Sequence, residues 1–360
     1  MNKKIVLYIT SMHRGGAERV MSILANSFAD DGEEVVLVTD VPVLADEDNY
    51  ALRDSIKCVC LKPKSKTFAL RNLERIKSLR KIIKNERADA VLSFLGRQNY
   101  RMLVATIGLK CRKCVSVRND PNMEYGKTWL KRKIANILFG FADVCVFQTK
   151  DARKYFSKRI QKKSVIIINP IDDKFFKVNK AKNPKNIITV GRLESQKNHK
   201  LLIRAFSKIS EQIGDEKLLI YGEGSLRGDL QDCIDKSGMT SRITLMGEAS
   251  NIEKELAKAK MFVLSSDYEG MPNALMEAMA VGVPCISTDC PCGGPRELIK
   301  NGENGFLVPC GDTNEMSNCM LRIDDEDLDS IGENAKLSVK CYTTNEVFGR
   351  WRHVVFGGRG

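Results

Sequence analysis

No stretch of the chain stays apolar for the ~18 residues a membrane-spanning helix requires, so no helical span is expected. Histidine is scarce, with only His13, His199 and His353. Two close cysteine pairs, Cys111/Cys114 and Cys290/Cys292, have no second pair at zinc-finger spacing, and so few histidines leave little to complete a zinc site. They read as structural thiols. The twelve cysteines are scattered, and Cys145 and Cys285 sit inside apolar runs, which suits buried reduced thiols in the cytoplasm rather than a disulfide framework. Asp46-Glu47-Asp48 and Asp325-Glu326-Asp327 have the spacing of a metal-holding acidic pair, but each lies in an acidic patch with no strand before it. They read as solvated surface, and no metal is expected. Ten prolines among 26 glycines show no triplet period, which excludes collagen. The opening Met1–Ile9 carries two lysines, but its apolar run is short and lacks a small-residue cleavage site. It reads as a first β-strand rather than a signal peptide.

What is present is an ordinary globular composition, 43% hydrophobic and 29% charged, spread over 360 residues. That length exceeds one typical domain of about 100–200 residues, so two cores are expected. The net charge of +13 is unevenly placed. Residues 1–180 carry 36 Lys and Arg against 19 Asp and Glu, whereas residues 181–360 carry 22 against 26. The first half should therefore meet an anionic partner. Its basic run includes Lys66, Arg71, Arg75, Lys77, Arg80, Lys81 and Lys84, with Phe68, Leu70 and Leu73 interleaved. A basic amphipathic surface of this kind suits an anionic membrane leaflet. No nucleic-acid motif or aromatic stacking platform accompanies it, so no nucleic acid is expected.

Short continuous apolar strands alternate with helical patterns along the whole chain, which predicts parallel sheets covered on both faces, an α/β class. In the first half the pattern predicts strands at Ile5–Ile9, Val35–Thr39, Ala90–Phe94, Val115–Val117, Val144–Phe147 and Val165–Ile168. Around Asn169–Lys185 the rhythm breaks, with prolines at 170 and 184. Alternation then restarts at Ile187–Val190. The expected organisation is a basic, membrane-facing domain over 1–170, a linker over 171–185, and a second domain over 186–344. A helix over 345–360, frayed at its end, should pack back on the first domain. Two doubly wound domains should face each other across a cleft at the carboxyl ends of their strands, where such sheets bind ligands.

Three segments concentrate chemistry in the second half. In Ser265–Pro284 a strand feeds a polar loop, then Pro272 opens a helix. The first-turn amides of Asn273, Ala274 and Leu275 suit a phosphate, and Glu269 and Glu277 suit the hydroxyls of a sugar and a ribose. In Gly191-Arg192-Leu193-Glu194-Ser195-Gln196-Lys197-Asn198, the two cations can converge on one diphosphate, Arg192 as a fork and Lys197 as a point charge. In Tyr221-Gly222-Glu223-Gly224, with Met246-Gly247-Glu248 after the next strand, a tight turn lines a nucleotide pocket; the GxGxxxG spacing does not favour NAD. In the first half, Thr10–Glu18 joins a strand to a helix through Gly15 and Gly16, where helix amides again favour an anion. Arg118 and Asp120 end another strand at the same edge and are candidates for binding a phosphate or hydroxyls.

Gly15-Gly16-Ala17-Glu18, Gly191-Arg192 with Gln196-Lys197-Asn198, and Tyr268-Glu269-Gly270-Met271-Pro272-Asn273 with Glu277-Ala278 together resemble the family 4 retaining glycosyltransferases of the GT-B fold. Cys292–Ile299 and Asn301–Val308 resemble that family too, and the likeness covers nearly the whole chain. The subtype it resembles assembles bacterial capsule, lipopolysaccharide and lipid-linked glycans. The resemblance implies catalytic roles for Glu269, Arg192 and Lys197, with Glu269 holding hydroxyls of the donor sugar and the two cations its diphosphate. It implies donor binding by Glu277, Asn273, Ala274, Leu275, Gly270, Gly247 and Gly16, with Gly247 bordering the base, most often uracil. Gly15, Arg118 and Asp120 fall on the acceptor side. No cofactor and no metal are implied, the nucleotide sugar being a substrate. The expected reaction is retaining transfer of a hexose or N-acetylhexosamine from a UDP-sugar to a glycan or lipid-diphosphate-linked acceptor, on the cytoplasmic face of the membrane. The alternatives are a nucleotide-sugar epimerase or hydrolase on the same scaffold, or a non-catalytic binding member of a glycan assembly complex.

Overall fold

The computed structural model describes residues 2–13, 15–43, 50–323 and 328–357. Arg14, Asp46–Asp48, Asp325–Asp327 and the end of the glycine-rich tail lie outside the described residues. The chain divides into two units. One runs up to Pro170 and takes in the residues from Thr344 onward; the other is Ile171–Thr343.

The first unit holds seven strands: β1 Lys4–Ile9, β2 Glu34–Thr39, β3 Lys57–Cys60, β4 Ala90–Phe94, β5 Arg112–Ser116, β6 Val144–Phe147 and β7 Ser164–Ile166. They pair in parallel in the order β3-β2-β1-β4-β5-β6-β7. The second unit holds β8 Asn186–Val190, β9 Leu218–Tyr221, β10 Ile243–Gly247, β11 Ala259–Leu264, β12 Cys285–Thr288 and β13 Phe306–Val308. These are also parallel, ordered β10-β9-β8-β11-β12-β13. Each order reverses once, between β1 and β4 and between β8 and β11. At such a reversal the loops leaving two adjacent strands part in opposite directions and leave a crevice beyond their carboxyl ends. Both are doubly wound sheets, because their strands are buried on both faces. β1 and β4 are nearly wholly covered, as their largely apolar sequences require.

Several boundaries differ from the sequence expectation. β3 and β13 had no strong signal: Lys57 and Cys58 are exposed at a sheet edge, and β13 is only three residues long. The expected linker is part of the second unit. Ile171 donates its N–H to the Tyr342 carbonyl at 2.8 Å, and the short helix Lys174–Lys177 packs on helix Asn273–Val281 with Phe175 buried. One ring in a polar stretch was enough to anchor a segment whose composition looked loose.

The C-terminal helix Thr344–Phe356 belongs to the first unit. Val347, Trp351, Val354 and Val355 recur at helical spacing and are buried. Trp351 lies 5.6 Å from the Phe94 ring at the end of β4, and Phe348 and Phe356 meet Phe28 edge-on at 5.0 and 5.7 Å. Trp351→Ala should lower stability by about 3–5 kcal/mol, as truncations of buried aromatics do. Chemical denaturation should show a lower midpoint, with Trp351→Phe recovering most of the loss.

Candidate functional site

The crevice between β8 and β11 is built by two loops that lie far apart in sequence. β11 pairs with β8, with Met261 beside Ile187 and Phe262 beside Ile188, so the loops that follow both strands emerge side by side. Backbone and side chains then stitch them together. Asp267 N donates to Gln196 O at 2.9 Å, Ser265 Oγ to Lys197 O at 2.9 Å, and Asn198 Nδ2 to Asp267 Oδ1 at 2.8 Å. Asn198 also takes a left-handed backbone at φ 43° and caps helix His199–Ile209, accepting from Leu201 N. Asparagine tolerates that conformation better than most residues, which accounts for its place after Gln196-Lys197.

The stitching brings Lys197 and Glu269 into direct contact, Nζ to Oε1 at 2.5 Å. Glu269 is 6% exposed. Its Oε1 also accepts from Ser266 Oγ at 2.7 Å, whereas Oε2 takes only a long 3.5 Å contact from Gln196 Nε2. Gln196 Nε2 is held in turn by the Tyr268 carbonyl at 2.9 Å. A carboxylate buried without such partners would bear the whole cost of leaving water.

Helix Asn273–Val281 starts at the far end of the same loop. Pro272 stands at the N-cap position in extended conformation, one residue earlier than the helical turn expected for it, and no side chain caps the helix. The first-turn amides of Asn273, Ala274 and Leu275 therefore lack intrahelical acceptors. Glu277, one turn on, is 5% exposed, so it is not a solvated helix residue. Gly270 is held by close backbone packing: a Cβ on Gly294 would stand 1.9 Å from the Gly270 carbonyl oxygen. Gly293, at φ 75°, starts the helix Gly294–Leu298 that presses there. Gly247 ends β10 at φ 74°, accepts at its carbonyl from Gly222 N at 2.8 Å, and lies two strands away from β8.

Arg192 follows β8 directly and is exposed. The residue that sequence reasoning missed here is His199. It is buried, and desolvation pushes its imidazole down to about 4. Its Nε2 lies 3.2 Å from the Arg192 carbonyl; a carbonyl can only accept, so the neutral ring donates there and fixes the Arg192 backbone. Only its position one residue past Asn198 hinted at this.

In the first unit, helix Gly16–Asp30 begins at Gly16, with Gly15 at its N-cap in extended conformation. Arg118 and Asp120 follow β5 at the carboxyl edge, but both side chains are engaged inside the unit. Arg118 lies over the Phe94 ring at 4.5 Å and donates to Asn169 Oδ1; burial pushes its guanidinium down to about 9. Asp120 caps the short helix Pro121–Glu124, accepting from Asn122 N at 2.9 Å. Beside them is Glu124, which the sequence did not mark. Burial pushes its carboxyl up to about 8, and the Arg118 charge offsets only part of that. All twelve cysteines are free thiols, and burial pushes those of Cys114 and Cys145 up to about 12. Among the described residues no group of three or more His, Cys, Asp or Glu side chains could hold a metal ion.

Residues 14–175 match the family described as Glycosyltransferase Family 4, and residues 170–338 match Glycosyl transferases group 1. The chain belongs to the family 4 glycosyltransferases. It is 30% identical over 364 residues to N-acetylgalactosamine-N,N'-diacetylbacillosaminyl-diphospho-undecaprenol 4-alpha-N-acetylgalactosaminyltransferase of Campylobacter jejuni, covering 94% of this chain and 96% of the relative. It is 27% identical over 362 residues to a second protein of that organism, GalNAc-alpha-(1->4)-GalNAc-alpha-(1->3)-diNAcBac-PP-undecaprenol alpha-1,4-N-acetyl-D-galactosaminyltransferase, covering 98% of each. The fold is that of Anabaena HepE solved with UDP and glucose, at TM-score 0.83 and 16% identity, covering 99% of this chain and 100% of that one. This glycosyltransferase thus has the GT-B pair of Rossmann-like units. No helix among the described residues is long and apolar enough to cross a membrane.

Glu124 supplies a pH prediction. Its carboxyl sits near 8 in the folded chain against an ordinary 4.5, so the folded state keeps a proton that the unfolded chain gives up. Its contribution to stability is present below pH 4.5 and is lost as pH climbs through about 8. Glu124→Gln should flatten the fall in stability between those values, read as urea midpoints across a pH series.

Proposed function

We propose that this enzyme transfers a hexose or N-acetylhexosamine from a UDP-sugar to a lipid-diphosphate-linked glycan, with retention at the anomeric carbon and without a divalent metal. The observation that carries the reading is the Lys197–Glu269 contact beside the uncapped start of helix Asn273–Val281. It sets a cation, the amides of a helix start and a carboxylate around one crevice. The printed names of the Campylobacter relatives support the acceptor class, and the UDP and glucose of the Anabaena neighbour support the donor.

In this reading Arg192 and Lys197 neutralise the donor diphosphate, with the amides of Asn273, Ala274 and Leu275. The Lys197 ammonium has three donors, so it can keep Glu269 and bind a phosphate oxygen together. Glu269 Oε2 takes a hydroxyl of the donor sugar, and Glu277 takes the ribose hydroxyls. Gly270 brings the backbone close, and Gly247 and Gly16 border the base and the reaction centre. The bond from the anomeric carbon to the diphosphate oxygen breaks, and its electron pair leaves on that oxygen. The acceptor hydroxyl forms its bond on the same face and passes its proton to the departing phosphate. Gly15 lies at the acceptor edge of the first unit. Arg118 and Asp120 act there through the loop they brace, beside an anionic leaflet on the cytoplasmic face of the membrane.

Purified enzyme incubated with a panel of nucleotide sugars, with and without lipid-diphosphate-linked glycans, should release UDP only when acceptor is present. Chelation should leave the rate unchanged. Equal release without acceptor would point to a hydrolase and overturn the reading. Removing one hydrogen bond to a charged group costs about 1.5–3 kcal/mol, roughly 10- to 100-fold. Glu277→Ala should therefore raise the donor KM by that order. Glu269→Ala and Lys197→Ala should lower kcat by at least as much, measured by initial rates.

A further inference from the structure

Helix Trp129–Phe139 is apolar on two opposite sides. Ala135 and Phe139 face inward and are buried. Leu130, Ile134, Ile137 and, just past the helix, Phe141 recur at i, i+4, i+7 and i+11, which places them in one stripe opposite the buried pair. All four are exposed. Trp129, at the first turn, is 73% exposed. A surface helix of a globular domain ordinarily shows water a polar face.

The apolar exposure is concentrated. Of thirteen exposed large hydrophobic residues among those described, eleven fall between Phe68 and Phe141. Eight of them lie on three helices. Helix Phe68–Asn85 packs on helix Gly96–Ala105, which packs on helix Trp129–Phe139. Each of the three follows a strand of the first unit, so their starts share the carboxyl edge of the sheet. There Phe68, Leu70 and Leu73 are exposed, and Arg97 of the middle helix lies 5.7 Å from the Phe68 ring.

Charge identifies the occupant. The three helices carry eleven Lys and Arg and a single acid, Glu74; Arg75 and Arg101 pair with Asp40 and are largely buried, which leaves nine cations for the surface. Glu74 is already used, accepting from Lys64 N and Ser65 N. Lys131 and Lys133 flank the outer stripe, and Lys133 Nζ stands 5.8 Å from the Trp129 ring. Protein interfaces are depleted in lysine. Aliphatic side chains ringed by lysines, with a tryptophan at the margin, match the acyl, headgroup and phosphate layers of a bilayer.

We propose that the outer stripe of helix Trp129–Phe139, with the exposed start of helix Phe68–Asn85, is a wedge that inserts shallowly into an anionic bilayer. The wedge specifies how the leaflet named under the proposed function is engaged: by apolar insertion as well as charge, and at the carboxyl edge that carries the acceptor-side loops. It rests on that reading for its purpose and on exposure and charge for its location.

Full-length enzyme should be sedimented with vesicles of phosphatidylcholine containing phosphatidylglycerol, alongside the variant Trp129→Gln/Leu130→Gln/Ile134→Gln/Ile137→Gln. These positions are exposed and glutamine is a good helix former, so folding should be kept, as checked by circular dichroism. The wild type should bind, retain binding in 0.5 M salt, and show a blue shift of Trp129 emission; the other tryptophan, Trp351, is buried. The variant should partition about tenfold less or worse. It should transfer normally to a water-soluble acceptor and poorly to one embedded in vesicles. Equal partitioning of the two proteins, or no emission shift, overturns the wedge. So does a wild-type dimer that the variant dissolves, measured by light scattering, because a second copy would then cover the stripe. Sedimentation needs no turnover, so a failed transferase assay leaves this test standing.

Discussion

Lys197 and Glu269 are 72 residues apart, and their contact exists because β8 and β11 are neighbours at the point where the sheet reverses its order. A lysine placed against a buried carboxylate relieves the penalty of desolvating both. Ser266 and Gln196 complete the shell. The geometry of the helix start at Asn273 follows, because the loop carrying Glu269 is the same loop that ends at Pro272. A chain that failed to pair β8 with β11 would separate the cation from the acid and leave each without its partner. The site is therefore a property of topology before it is a property of any single side chain.

The first unit organises its carboxyl edge differently. Where the second unit exposes its cation after β8, the first draws Arg118 inward over Phe94 and leaves Glu124 uncharged in the interior. The guanidinium bonded to Asn169 braces the loop after β5. The edge that results is rigid beneath and apolar with lysines outside. Under the proposed function that surface holds the acceptor and its membrane, while the second unit binds the donor.

Much of this was legible in the residues. Buried parallel strands announce themselves as continuous apolar runs, and β4 and β6 fall where those runs predict, because nothing else keeps four or five consecutive apolar residues dry. The glycine-flanked cations and the paired glutamates were visible as motifs; Arg192 and Lys197 fall after β8, Glu269 on the loop after β11, and Glu277 in the helix that this loop leads into. Other features were not legible, for physical reasons. β3 begins with an exposed lysine and cysteine, so it carries no alternation and no apolar run. Phe175 decided the fate of a segment whose other residues looked like linker. His199 and Glu124 owe their character to burial, and burial is set by which elements pack on them rather than by their neighbours in sequence. The outer stripe of helix Trp129–Phe139 was hidden for the opposite reason. Its spacing looks like an ordinary core face until the structure reveals a second one.

The placement of Trp351 sets an order of assembly. The ring fills the first unit beside Phe94, yet the ribosome delivers it only after the whole of Ile171–Thr343 has been made. A nascent chain therefore holds an amino-terminal unit without its last helix, with Phe28 and one side of Phe94 uncovered, while the intervening Rossmann unit has every residue it needs to close. Domains commonly mature in the order of synthesis. Here the later-made unit can finish first, and the earlier one waits for its last helix, a window in which a chaperone would find exposed aromatic surface.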